Sequence, residues 1–139
     1  MGNRILLVDD ELAWLRTIGT FLKLAGYRVI TAADAQQAVA QAGAEDPGVI
    51  ILDVNLGGEN VSRLLSFVKT NHPQARVILY TGLERDDQRV LQLLQQGAAE
   101  CLRKGNLKDL LGRVQEASRL SGLVQSDCRP VPPGGWQMV

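Results

Sequence analysis

Hydrophobic and polar positions follow two rhythms along the chain. "RILLV" (residues 4–8) is a short, continuous apolar run, as a strand buried on both faces requires. Leu12, Leu15, Ile18, Leu22 and Ala25 then recur at helical spacing, and Gly26 supplies a stop signal. The same pair of rhythms returns four times. "YRVITA" (27–32), "VIIL" (49–52), "RVILY" (76–80) and the weaker "AECLR" (99–103) predict strands. Between them, Asp34 caps a helix carrying Ala35, Ala38, Val39 and Ala42, ended by Gly43. Val61, Leu64, Leu65 and Val68 stripe a third helix that stops before His72-Pro73. Val90, Leu91 and Leu94 mark a fourth, ended near Gly97, and Leu107, Leu110, Leu111, Val114 and Ala117 a fifth.

Strict strand–helix alternation implies a parallel sheet with helices on both faces. Right-handed crossovers leave few topologies, and at this size the doubly wound α/β order 2-1-3-4-5, the flavodoxin-like arrangement of a five-stranded parallel sheet, is the natural choice. Function in such sheets sits at the carboxyl ends of the strands. Strand one ends in Asp9-Asp10-Glu11, strand three in Asp53, strand four in Thr81-Gly82 and strand five in Arg103-Lys104-Gly105. These strands are neighbours in the expected order. One crevice therefore gathers three carboxylates, a hydroxyl and an ammonium.

Composition narrows the partners. The 139 residues suit one domain, and 45% apolar with 22% charged residues is ordinary for a globular protein. Lys plus Arg and Asp plus Glu balance at 15 each, which gives no reason to expect nucleic acid or an anionic membrane as partner. No run approaches a membrane span, and three acids follow the first apolar run, unlike a signal peptide. Two cysteines, Cys101 and Cys128, make neither a disulfide framework nor a zinc site. A cytoplasmic location is expected.

Carboxylates packed together repel and tend to hold protons, unless a divalent cation removes the conflict. One or two direct carboxylates, with water and a phosphoryl oxygen beside them, suit Mg²⁺ rather than zinc. A carboxylate screened in this way can attack a phosphoryl group, with the metal and a lysine stabilising the transferring charge and a threonine donating to an oxygen. Each residue alone has a plainer reading: Asp9, Asp10 or Thr81 as a helix cap, Asp53 as a turn residue, Lys104 as a solvated cation. Their joint placement at adjacent strand ends favours the chemistry.

"ILLVDDE", "VIILDVNL", "VILYTG" and "CLRKG", in that order and spacing, resemble the receiver domain of two-component response regulators, over roughly residues 3–121. The resemblance implies that Asp53 is the phosphoacceptor, taking a phosphoryl group from a sensor histidine kinase or a phosphotransfer protein. It implies Asp10 as a direct ligand of Mg²⁺, Asp9 as its acidic neighbour, Asp53 as a further ligand and the carbonyl of Asn55 as the backbone ligand. Thr81 and Lys104 would bind the phosphoryl group. The domain is expected to be regulatory rather than an enzyme, signalling by conformational change, with a homodimer through the face of the fourth helix, fifth strand and fifth helix as one mode of assembly. Lys104 is expected to reach Asp53 in a partly exposed pair worth only about 0–1 kcal/mol of stability.

Three positions depart from the family pattern. Gly57 stands where proline is usual, so the "DVNLGGENV" loop is expected to be more mobile than typical. Gly105 replaces the proline after the lysine. A cis bond before a residue other than proline costs about 2.5–4 kcal/mol, so Lys104–Gly105 is expected to be trans, with the bend made by the glycine dihedrals. Cys101 replaces an aromatic residue that moves on activation in many members. The usual readout is thereby altered, and a degenerate receiver, acting as a phosphate sink or a phosphorylation-independent interaction module, is the alternative.

Two other classes fit less well. A haloacid dehalogenase-type phosphatase needs a second Asp two residues after the nucleophile, where this chain has Asn55, which cannot shuttle protons. A flavin carrier needs a first loop that cradles phosphate, and "DDE" repels it. His72 reads as a surface loop residue; Trp14, on the first helix, could lie near the acidic site, with packing or simple exposure the plainer reading. Residues 1–121 are expected to form the receiver and 122–139, rich in Pro and Gly, a flexible tail or linker. No DNA-binding or enzymatic segment is recognised after it, so the chain reads as a stand-alone receiver or as one cut from a longer protein.

Overall fold

The structure, a computed structural model, describes residues 4–56, 61–84 and 86–126, with side chains as far as residue 119. Gly57 and its loop, and Cys128, lie outside the described residues. Five strands form one parallel sheet: β1 (Arg4–Val8), β2 (Arg28–Ala32), β3 (Val49–Leu52), β4 (Arg76–Thr81) and β5 (Glu100–Arg103). Their order is β2-β1-β3-β4-β5, as the alternation predicts. The helices are α1 (Leu12–Leu24), α2 (Ala35–Glu45), α3 (Val61–Asn71), α4 (Gln88–Gln95) and α5 (Leu107–Ser126).

Alternate side chains of each strand enter different cores. Leu6, Val8, Ile50, Leu52, Val77, Leu79 and Cys101 pack with the apolar faces of α2, α3 and α4. Ile5, Leu7, Val49, Ile51, Ile78, Tyr80 and Leu102 pack with α1 and α5. Burial on both sides is why the strands read as unbroken apolar runs rather than alternating ones. Ile5, Ile78, Leu79, Leu65 and Leu110 are fully buried, and truncating any one to alanine costs about 2–5 kcal/mol.

Helix ends depend on local chemistry. The Asp34 carboxylate accepts the Gln37 N–H at 2.8 Å, and Gly26 and Gly97 follow α1 and α4 with φ of 102° and 119°. Gly43 does not end α2, contrary to expectation. The helix continues to Glu45, and Asp46 takes the left-handed conformation at φ 50°. Pro47 explains the shift, because proline disfavours helical geometry in the residue before it. His72 is also not a surface residue. Its side chain is largely buried beside Phe67, with Nδ1 3.6 Å from the Asp46 carboxylate. The boundary expected at 121 falls inside α5, which runs to Ser126. Gly122 costs a helix only about 1 kcal/mol, and the first proline comes at Pro130.

The Lys104–Gly105 bond is trans, and Gly105 adopts φ 112°. A β-carbon there would meet open space. Gly105→Ala should therefore destabilise the domain by about 1–3 kcal/mol through backbone strain alone. Urea unfolding checks this, and an unchanged midpoint would mean the turn does not need the glycine.

Candidate functional site

The sheet register sets the site. Val8 pairs with Leu52, Leu52 with Leu79, and Thr81 with Arg103. Each ladder then runs one residue further: Asp9 N–H bonds Ala32 O at 3.1 Å, Asp53 N–H bonds Val8 O at 3.0 Å, and Lys104 N–H bonds Thr81 O at 2.8 Å. The functional side chains thus leave a rigid scaffold at nearly one level.

Three strands make the exit in the same way. Asp9 Oδ1 accepts the Glu11 N–H at 2.9 Å, Asp53 Oδ1 the Asn55 N–H at 3.1 Å, and Thr81 Oγ1 the Leu83 N–H at 3.2 Å. Such side-chain turns bend strand into loop and fix the rotamer. They also turn the second oxygen of both aspartates to one point. Lys104 Nζ lies there, 2.8 Å from Asp9 Oδ2 and 3.3 Å from Asp53 Oδ2, with Glu11 Oε1 at 3.4 Å.

Asp9, Asp53 and Thr81 are buried, and the Lys104 side chain is only 11% exposed. Asp10 is exposed. Asp9, Asp10 and Asp53 each present a carboxylate oxygen within 4.8 Å of the others, so the donor set suits a hard divalent cation. A cleft of about 400 Å³ opens above, lined by Asp10, Glu11, Asp53, Asn55, Thr81, Gly82, Leu83 and Lys104. Every residue expected at the site is therefore brought together, with Asp9 lying beneath the cleft rather than in its wall.

Burial pushes the Asp53 carboxyl up from 3.8 to about 6, against the Asn55 N–H and the charge of Lys104, which pull it down. Burial also opposes the charge on Lys104, but its hydrogen bond to Asp9 and the charge of Asp53 prevail and hold its pKa above the ordinary value. At pH 7 the cleft thus carries an ionised nucleophile candidate beside a permanent cation.

Two aromatic residues do more at the site than their plainer readings. Trp14 does more than pack: Lys104 Nζ stands 5.2 Å from the centre of its ring. Tyr80, buried at the end of β4, lies edge-on to Trp14 with ring centres 6.0 Å apart, and its hydroxyl accepts the Gly105 N–H at 3.1 Å. The sequence signal for Trp14 was its position on the first turn after the acidic triplet; Tyr80 differs from an ordinary strand residue only by its hydroxyl.

Residues 5–115 match the response regulator receiver domain. The chain belongs to that family. The receiver is 38% identical over 118 residues to the alginate biosynthesis transcriptional regulatory protein AlgB of Pseudomonas aeruginosa, covering 85% of this chain and 26% of that protein. It is 31% identical over 104 residues to the response regulator FleR of the same organism, covering 75% of this chain and 22% of FleR. The chain thus spans about a quarter of the length of these relatives. Among solved structures, a CheY-like receiver domain protein from Methanospirillum hungatei superposes with a TM-score of 0.80 at 28% identity, covering 86% of this chain and 96% of that one. NtrX from Brucella abortus superposes at 0.83 and 28% identity, covering 95% of this chain and 31% of that one. No helix among the described residues of the receiver is long and apolar enough to cross a membrane.

Two predictions follow from the charges. Below pH 3.8 Asp53 is protonated in both folded and unfolded chains; between 3.8 and about 6 the unfolded chain has released a proton that the folded one still holds. Stability of the metal-free receiver therefore falls as pH rises through that window. Asp53→Asn should remove this loss, gaining about 1–3 kcal/mol at pH 7.5 and nothing at pH 3.5, as read by urea unfolding in EDTA. Lys104→Ala should cost about 3–5 kcal/mol at pH 7.5, not the 0–1 kcal/mol of a solvated pair, because it leaves two buried carboxylates without their cation. A loss below 1 kcal/mol would show that water already screens the cluster.

Proposed function

We propose that this receiver is the phosphoacceptor module of a two-component phosphorelay, taking a phosphoryl group from a histidine kinase or phosphotransfer protein onto Asp53 with Mg²⁺. The observation that carries the reading is the convergence of Asp9, Asp53 and Lys104 beneath an open cleft, with Asp10 at its mouth. Asp9, Asp10 and Asp53, with the Asn55 carbonyl, would hold the ion. Bound Mg²⁺ would neutralise the carboxylates and the oxygens of the incoming phosphoryl group.

The chain's own residues perform the rest. A carboxylate oxygen of Asp53 attacks phosphorus, an O–P bond forms, and the bond from phosphorus to the donor atom breaks, its electron pair leaving with the donor. The turn through Asn55 holds the nucleophile still while this happens. Lys104, freed of part of its pairing as Asp53 loses negative charge, turns its protons to the phosphoryl oxygens. Thr81, at the cleft wall, donates its hydroxyl proton to another.

The signal then leaves through the loop after Thr81 and through α4, without an aromatic switch on β5. Cys101 is buried against the α4 side of the sheet, where it packs with Val90 and Leu93 and offers no ring to swing. The domain is regulatory, and its partners are phosphodonor proteins; a homodimer through α4, β5 and α5 is one form of output.

Intact mass after incubation with a small-molecule phosphodonor and Mg²⁺ should show the gain of one phosphoryl group, lost in Asp53→Asn and in EDTA. Persistent labelling of the asparagine variant would move the acceptor elsewhere. Amide shifts with and without beryllofluoride should change in residues 82–95 as well as at the cleft. Changes confined to the cleft would favour a phosphate sink over a signalling module.

A further inference from the structure

Lys104 has four close neighbours, and three are carboxylates: Asp9, Asp53 and Glu11. Under the proposed function, phosphorylation moves negative charge from the Asp53 carboxylate to the phosphoryl oxygens, and Asp9 would share its charge with a bound metal. The carboxylates alone therefore do not hold the ammonium in one place through the step. The fourth neighbour is the Trp14 ring, 5.2 Å from Nζ, within cation–π range, and its attraction depends on neither event.

The ring is itself held. Trp14 is only partly exposed and packs on the α1–α5 core, with Tyr80 edge-on at 89°. Tyr80 is 2% exposed and also fixes the backbone after the lysine, through the Gly105 N–H. In this chain Gly105 has no ring of its own to stiffen that turn, and its bond is trans. The lysine is thus gripped at both ends of its side chain by one aromatic pair.

We propose that Trp14 is a positioning residue for Lys104, its indole face seating the ammonium in the cleft while Tyr80 fixes both that ring and the backbone behind the lysine. The kinetic part of this inference rests on Asp53 being the phosphoacceptor; the positional part does not. Lysine placed by carboxylates alone would follow their charge, whereas lysine placed by the ring stays through the reaction.

The test has an arm without metal or phosphodonor. In EDTA, unfolding of the wild type, Trp14→Leu, Lys104→Met and the double variant forms a double-mutant cycle. The expected coupling is about fivefold to thirtyfold in the unfolding equilibrium constant, the range of a desolvated cation–π contact. The ε-methylene protons of Lys104 should also be shifted upfield by the ring, in the wild type and in Trp14→Phe but not in Trp14→Leu. A purely structural tryptophan would give an additive cycle and no such shift, and either result overturns the inference.

In the second arm, Trp14→Leu should slow the rate of Asp53 phosphorylation at saturating donor by a similar factor, with half-saturation little changed and most of the rate restored in Trp14→Phe. A folded Trp14→Leu variant that is phosphorylated at the wild-type rate would also overturn it. If the wild type takes no phosphoryl group at all, the proposed function fails, and the metal-free cycle still decides whether Trp14 seats Lys104.

Discussion

Two buried carboxylates share one buried ammonium, and this charge balance governs the upper end of the sheet. Asp9 and Asp53 are nearly inaccessible to water, so neither can be ionised cheaply without a cation. Lys104 supplies one charge to both, which leaves the cluster negative by one even before Asp10 is counted. Burial raises the proton affinity of Asp53, and the neighbouring charge of Asp9 adds to it, against the Asn55 N–H and Lys104. With Asp10 beside it, the cluster offers a donor set that suits a hard divalent cation.

The balance is possible only because the backbone delivers the charges to one point. A parallel sheet brings successive carboxyl ends to the same edge, and the ladders that continue through Asp9, Asp53 and Lys104 bring them to the same height. The turns at Asp9 and Asp53 then assign the oxygens: Oδ1 holds the loop, Oδ2 faces the lysine. A slip of one residue in β3 would turn Asp53 to the opposite face of the sheet and leave Lys104 with Asp9 and Glu11.

Most of this was legible in the sequence because it depends on short-range rules. Apolar runs with no polar alternation announced strands covered on both faces, and the residues immediately after them announced the cleft. What was not legible depends on contacts between distant segments. Trp14 looks like any apolar residue of α1, and only the folding of α1 onto the sheet, with its ring against Tyr80 of β4, puts it next to Lys104. Tyr80 matters through a hydroxyl that reaches the backbone 25 residues further on. The two carboxylates of the Lys104 pair are more deeply buried than the "LRKG" motif discloses, since burial is set by the whole surrounding shell. The end of α2 shows a competition of local signals, in which Pro47 outweighed Gly43.

Lys104 follows the last of the described strands, while its two buried carboxylate partners follow the first and the third. Without β5 and α5, Asp9 and Asp53 would stand at the carboxyl ends of interior strands with no Lys104 to answer them. Adding β5 to the sheet both extends the core and offsets part of the repulsion between the two carboxylates. The ion pairs of Asp9 and Asp53 thus tie β5 to the middle of the sheet, and a chain truncated before β5 would hold its acidic end open to water and protons. The pairs that gather the site are therefore also ties between distant parts of the fold.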